Sequence, residues 1–181
     1  PAPPPPPAPA APPTGDKRAA PLRWPALTDA SAELVFERAG MKVNNARGRI
    51  SGANGIDVSK GEASIADMSI LDPVLHVNAQ AAGPLAEALR VSAPLTGQAQ
   101  PYVEQVRATG RAEYRLKLEM PLEDIEKTRL QASVELADNE VQLSKDAPAF
   151  TQARGTLGFT EAGFSLAGLR AQLAGGAIRL D

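Results

Sequence analysis

The stretch Arg111–Met120, RAEYRLKLEM, limits the fold more than any other part of the chain. Its odd positions, Arg111, Glu113, Arg115, Lys117 and Glu119, are all charged. Its even positions, Ala112, Tyr114, Leu116, Leu118 and Met120, are all apolar. A β-strand turns successive side chains to opposite faces, so this is a half-buried strand with one wet face and one apolar face. As a helix the same residues would carry charge on every side and no apolar stripe at 3.6-residue spacing.

Shorter versions of this pattern fill most of the chain. Strands are expected at Glu33–Glu37, Met41–Asn44, Arg47–Ser51, Ile56–Ser59, Glu62–Ile70 and Pro73–Gln80. Gly40 is expected to supply a positive φ in the first turn, and Asn54-Gly55 reads as a hairpin turn. After Arg111–Met120 come a turn at Pro121–Asp124 and a strand at Thr128–Ala137. A hairpin turn at Asp138-Asn139 and a strand through Val141 and Leu143 follow. Gly155–Phe159, Phe164–Leu166, Leu169–Leu173 and Ala177–Leu180 complete the set. Turn signals at this spacing are the rhythm of an all-β meander.

One interruption, at about 83–109, is helical in pattern. Gly83–Val91 places Pro84 near the first helical position and Leu85, Ala88 and Leu89 on one face. Thr96–Thr109 is a second candidate, with Gly110 as its stop. The expected fold class is therefore mainly β, a β-rich α+β arrangement. It is an antiparallel meander curled into an elongated groove, with two short helices across one end.

Two stretches match without a gap at a constant offset of 123 residues, Pro25–Val43 on Pro148–Leu166. Pro25/Pro148, Thr28/Thr151, Leu34/Leu157, Phe36/Phe159 and Gly40/Gly163 are among the identities, and Arg47/Arg170 and Gly52/Gly175 extend them. Repeat-like units are thus expected at 25–58 and 148–181. Such units suggest a stacked array, although any two β-hairpins share part of this pattern.

The head, 1–23, is different. It opens PAPPPPPAPAAPPTG and reads as an extended, polyproline-like linker, or as a PxxP ligand for an aromatic groove. The remainder, 24–181, suits one β domain or two small modules in series. One Trp, two Tyr and four Phe leave the core to Leu, Val, Ile and Ala. The net charge of -2 offers no electrostatic footprint for nucleic acid. With no cysteine, disulfides, thiolate metal sites and a Cys nucleophile are excluded. No apolar run approaches the ~20 residues of a membrane span, and no signal peptide is visible. The start at Pro1 and the stop at Asp181, directly after a strand-like IRL, read as a fragment of a longer chain.

Candidate chemistry is sparse. His76, the one histidine, sits on the face opposite Leu75 and Val77. Asp72 or Asp57 could complete a Ser–His–Asp set, yet no G-x-S-x-G elbow presents a serine. Glu123, Asp124 and Glu126 lack the ligand ladder of a calcium loop, and Gly48–Gly55 lacks the Lys-Ser/Thr ending of a phosphate loop. Arg107, Arg111, Arg115 and Lys117 could meet lipid phosphates at a rim, or form a mixed solvated face with Glu113 and Glu119. No catalytic residue, metal or cofactor is expected.

The C-terminal runs carry a resemblance. These are Gly110 with Leu116, Leu118 and Met120-Pro121-Leu122, then Thr128, Leu130 and Asp138-Asn139. Gly155, Leu157, Phe159–Gly163, Leu169, Ala171, Leu173 and Gly175-Gly176 follow. Together they resemble the YhdP family of AsmA-like bacterial envelope proteins, over Gly110–Asp181 above all. The resemblance implies one segment of a bridge across the periplasm, in a parent protein anchored in the inner membrane by a helix outside this chain. Phospholipid acyl chains and neighbouring segments of the same longer chain would be its partners. Lipid-groove candidates are Tyr114, Leu116, Leu118, Leu130, Val134, Leu136, Leu157 and Phe159. The alternative is a structural or protein-binding β scaffold whose apolar face is packed shut, and a more distant one is an esterase using His76.

Overall fold

A computed structural model describes residues 26–95, 100–160 and 163–180. The expected linker at 1–23 lies outside the described residues. Along the chain run β1 (Leu27–Glu37), β2 (Gly40–Ile50), β3 (Asp57–Ile65), β4 (Val74–Pro84), α1 (Leu85–Ser92), α2 (Gln100–Val103) and β5 (Arg107–Thr109). Then come β6 (Arg111–Pro121), β7 (Arg129–Gln142), β8 (Phe150–Thr160), β9 (Gly163–Leu173) and β10 (Gly176–Leu180). Among the described residues these strands form one ten-stranded sheet, ordered β1-β2-β3-β4-β6-β7-β8-β9-β10, with β5 paired to β7 beside the start of β6. Every pairing is antiparallel. The mainly β meander is as expected.

The curl is not. The sheet stays open and is not strongly curled, with β1 and β10 as its two outer edges. Alternation along a strand fixes which face is apolar, but closure depends on whether the edge strands meet, and the registers carry the sheet from β1 outward without bringing them together.

The strands are also longer than the sequence segments, because several expected turns are bulges. In β2 the apolar phase shifts from Met41 and Val43 to Ala46 and Ile50, and Asn45 takes a left-handed φ of 52° at the shift. In β7 it shifts from Leu136 to Val141, with Asp138 at φ 64°. The expected Asp138-Asn139 hairpin is therefore a bulge inside one strand: a single left-handed residue changes the phase and the ladder continues. In the first turn Arg38, not Gly40, has the positive φ, at 53°. Gly40 is needed for space, since a Cβ there would lie 2.7 Å from the Ala66 carbonyl oxygen.

Both expected short helices are present, the second over a shorter range than expected. Only Gln100–Val103 is α-helical, residues 96–99 lie outside the described set, and Arg107–Thr109 is a strand paired with Glu140–Gln142. Gly110 does not stop a helix; it joins β5 to β6 at φ 84°. Its conformation is fixed by Asn139, which is fully buried. The Asn139 amide donates to the carbonyls of Thr109 (2.9 Å) and Arg111 (3.1 Å), and its oxygen accepts from the Ala137 N–H (2.8 Å). One side chain thus satisfies backbone groups that two adjacent strand irregularities would leave without partners.

The helix α1 is the expected one, starting two residues later and ending one residue later. Pro84 precedes it in extended conformation, and the Leu85 N–H donates to the Gly110 carbonyl at 2.9 Å. Glu87 in the first turn and Arg90 in the last suit the helix dipole. Both also tie α1 to the β2–β3 loop. Glu87 accepts from the Asn54 N–H at 3.0 Å, and Arg90 donates to the Gly52 carbonyl and to Glu87. The Glu87 carboxyl is held below the usual carboxylate range, first by the Arg90 hydrogen bond and then by Asn54.

On the polar face Arg154 grips Asp138 with two hydrogen bonds of 2.5 Å across the β7 bulge. This contact lowers the Asp138 pKa. A lowered folded-state value means that the pair's contribution is present at neutral pH and is lost as pH falls through that value. Carboxyl NMR titration should place Asp138 below the ordinary 3.8, and Arg154→Met should return it toward 3.8.

Candidate functional site

Cross-strand registers arrange the apolar face in rows that run across the strands. One row is Leu34–Val43–Ala63–Val77–Leu118–Leu130. The next toward α1 includes Ala79–Leu116–Ala132–Phe159–Phe164, and the one beyond it Ala81–Tyr114–Val134–Leu157–Leu166. At about 4.8 Å per strand, the six-strand row is about 24 Å long. These rows bring seven of the eight sequence candidates onto one face, and Leu136, paired with Ala112 in the row beyond, is the eighth.

The face has two halves. Near α1 it is closed: Leu85 packs with Ala112, Leu136, Ala153 and Ala171, and Leu89, Tyr114, Val134 and Leu157 pack around them. Tyr114 is half-buried there, its hydroxyl donating to the Gly83 carbonyl at 3.1 Å. Burial pushes its pKa up to about 12, against a smaller opposing effect of the Arg111 charge. The turns 38–39, 66–73 and 122–128 lie at the other end. There Ile65 is buried, but the apolar side chains on the outer strands meet solvent: Leu34 is 55% exposed, Phe36 62%, Phe159 43% and Phe164 75%. Loops beside them add Ile70, Leu71 and Ile125, all exposed. Of the candidates, Tyr114, Val134, Leu136 and Leu157 belong to the closed half. Leu116, Leu118, Leu130 and Phe159 lie in the rows that lead to the open end, where Leu118 is buried and Leu116 and Leu130 are half-buried.

Sequence reasoning missed Leu34, Phe36 and Phe164 as members of this surface. The available signal was the repeat, since Leu34 and Phe36 match Leu157 and Phe159 at the 123-residue offset. Leu85→Ala should cost about 3 kcal/mol in urea unfolding, because it removes the centre of the closed half and leaves a cavity.

The opposite face is polar and mixed in sign. Arg115 lies 3.5 Å from Glu135, and His76 Nδ1 lies 3.9 Å from Glu119 on an exposed surface. Shallow hollows of about 170 Å³ and 240 Å³ lie on that side, the first lined by Lys42, Glu62, His76 and Asn78, the second by Arg111, Glu113 and Glu135. Both are smaller than an ordinary small-molecule pocket of about 300 Å³ or more. Among the described residues no group of three or more His, Asp or Glu side chains is placed to hold a metal. No helix among them is long and apolar enough to cross a membrane.

The family model for YhdP protein matches residues 21–181. The chain belongs to the YhdP family. The match spans both halves of the apolar face and both hairpins of the repeat, well beyond the Gly110–Asp181 runs. YhdP-family proteins are bacterial envelope proteins of a transport or structural kind. No curated protein and no solved structure matches the chain. For this member of the YhdP family, the candidate site is accordingly the open end of an apolar sheet face.

Proposed function

We propose that this chain is a segment of a lipid-conducting protein of the bacterial periplasm, and that the open half of its apolar face holds phospholipid acyl chains. The observation that carries this reading is the exposure of Leu34 and Phe164 at the ends of continuous apolar rows, with Phe36 and Phe159 exposed beside them. Each CH₂ taken from water contributes about 0.8 kcal/mol and asks for no hydrogen bond, so an apolar floor is sufficient for an acyl chain. Conduction along the rows then needs no bond to be made or broken. Anchorage in the inner membrane would come from a segment outside this chain, and the continuation of the path from neighbouring segments of a longer protein.

A packed scaffold module is the second reading, favoured by the closed half beneath α1. Lipid extraction and native mass spectrometry of the purified protein separate the two. Retained phospholipid is the expected result. Protein free of lipid, in a preparation that has never met detergent, would favour the scaffold.

A further inference from the structure

Two turns at the open end present apolar side chains that belong to none of the rows. In the β3–β4 turn Leu71 is 93% exposed, with Met68 and Ile70 exposed beside it. In the β6–β7 turn Ile125 is 66% exposed, and Leu122 is exposed as well. The two turns are neighbours. The Leu122 N–H donates to the Pro73 carbonyl at 2.9 Å. The Lys127 pKa is raised chiefly by Asp124, in its own turn, and in smaller part by the charge of Asp72 in the other.

Both turns are held by their own hydrogen bonds. The Met68 N–H donates to the Ala39 carbonyl at 2.8 Å, and the Asp67 carboxylate accepts from the Ser69 N–H (2.8 Å) and hydroxyl (2.5 Å). The Ile125 carbonyl accepts from the Thr128 N–H (3.2 Å) and hydroxyl (2.6 Å). These bonds fix the backbone and leave Leu71 and Ile125 in water, so the fold gains almost nothing from either side chain. Exposed apolar side chains gathered on one surface mark a place of contact.

Charge narrows the partner. Asp67, Asp72, Glu123, Asp124 and Glu126 flank the apolar tips. The cations beside them are Lys127, already 2.9 Å from Asp124, and Arg38 in the adjoining first turn. Surfaces that lie on anionic lipid combine apolar side chains with Lys and Arg, the opposite of this arrangement. We propose that the paired turns are a docking knob for a protein surface that offers an apolar cleft rimmed by Lys and Arg. Leu71 and Ile125 fill the cleft, and the carboxylates meet the rim. The apolar centre supplies most of the affinity, and the charges steer the approach and select the partner. This docking needs no lipid on the apolar rows.

The probe is a synthetic amphipathic helix made of Leu and Lys alone, with its Leu and Glu counterpart as the control. In an NMR titration of the full chain, the Leu/Lys peptide should shift the amides of 67–72 and 122–127, and the Leu/Glu peptide should not. Leu71→Ser with Ile125→Ser should weaken the Leu/Lys peptide about 10-fold. Both side chains already meet solvent, so the variant stays folded, as urea unfolding would verify. Phe159→Ser with Phe164→Ser should leave peptide binding as it is. Vesicles of phosphatidylglycerol and phosphatidylethanolamine should shift none of the turn amides. The proposal is overturned if the Leu/Lys peptide does not bind, if both peptides bind alike, or if the Leu71 and Ile125 changes have no effect. It is overturned equally if the Phe159 and Phe164 changes cost as much, which would seat the peptide on the rows, or if the vesicles shift the turns, which would make a membrane the occupant.

Discussion

Asn139→Ala should destabilise the protein by about 3–5 kcal/mol, the largest loss expected from any single side chain. The change leaves the Thr109 and Arg111 carbonyls and the Ala137 N–H without their partner, at a position with no solvent exposure. Each buried polar group left unpaired costs about 1–3 kcal/mol, less where the vacated space admits water. Asn139→Asp should behave differently with pH. Its carboxylate keeps the Ala137 bond but faces two carbonyl oxygens, so its folded-state pKa rises above the ordinary carboxylate value of about 3.9. The penalty therefore sets in as pH rises through the unfolded value and shrinks in acid, where a protonated carboxyl can donate one bond. Gly110→Ala attacks the same junction from the other side. Its Cβ would lie 2.8 Å from the Asn139 amide nitrogen, on a backbone at φ 84°. The double variant Gly110→Ala, Asn139→Ala should lose less than the sum of the two, because truncating the Asn139 side chain removes the amide that the new Cβ meets. Urea unfolding of the four proteins measures all of this.

The second large effect concerns ligand, with little change in stability. Phe159→Glu with Phe164→Glu should abolish retention of phospholipid, while unfolding free energy moves by about 1 kcal/mol or less. Both side chains already meet solvent, and they face each other across β8 and β9 at the open end. Two carboxylates there would put charge where acyl chains are proposed to lie, at a desolvation cost that no acyl chain can offset. The charge-matched change on the polar face, Gln131→Glu with Ser133→Glu, should leave lipid retention as it is. Lipid lost equally from both pairs would mean that retention reflects general charge and not the apolar rows.

Most of the strand content was legible because alternation is a direct record of which side chains face apart. Arg111–Met120 is the clear case, and β6 covers it with one residue to spare. What the pattern conceals is phase. Leu130, Ala132, Val134 and Leu136 are even, Val141 and Leu143 odd, and in sequence the break between them reads as a turn. The structure resolves it as a bulge with an inward Asn, since one left-handed residue realigns the faces without ending the ladder. The same phase breaks at Asn45, Gln152 and Gly168 each mark a left-handed residue inside a strand. The second helix ends short of its expected Thr109 for a related reason. The last three residues of the expected stretch, Arg107–Thr109, complete a ladder with β7, a long-range demand that a local apolar pattern does not display.

The candidate surface was legible as a face but not as two halves. Inward positions follow from alternation, so Tyr114 through Phe159 could be named. Which of them α1 covers depends on where the helix lands, and that is set by the Leu85–Gly110 hydrogen bond and the contacts of Glu87 and Arg90 with the β2–β3 loop. None of those partners is near in sequence. Curl is likewise a property of the whole set of registers.

The most direct test places a photo-crosslinking residue at single positions in cells and asks which become joined to phospholipid. Strong adducts are expected at Phe159 and Leu130, none at Lys117 or Gln131 on the polar face, and few at Leu136 beneath α1. Adducts at Leu136 equal to those at Phe159, or none at Phe159 and Leu130, would contradict an apolar face that is closed at one end and carries lipid at the other.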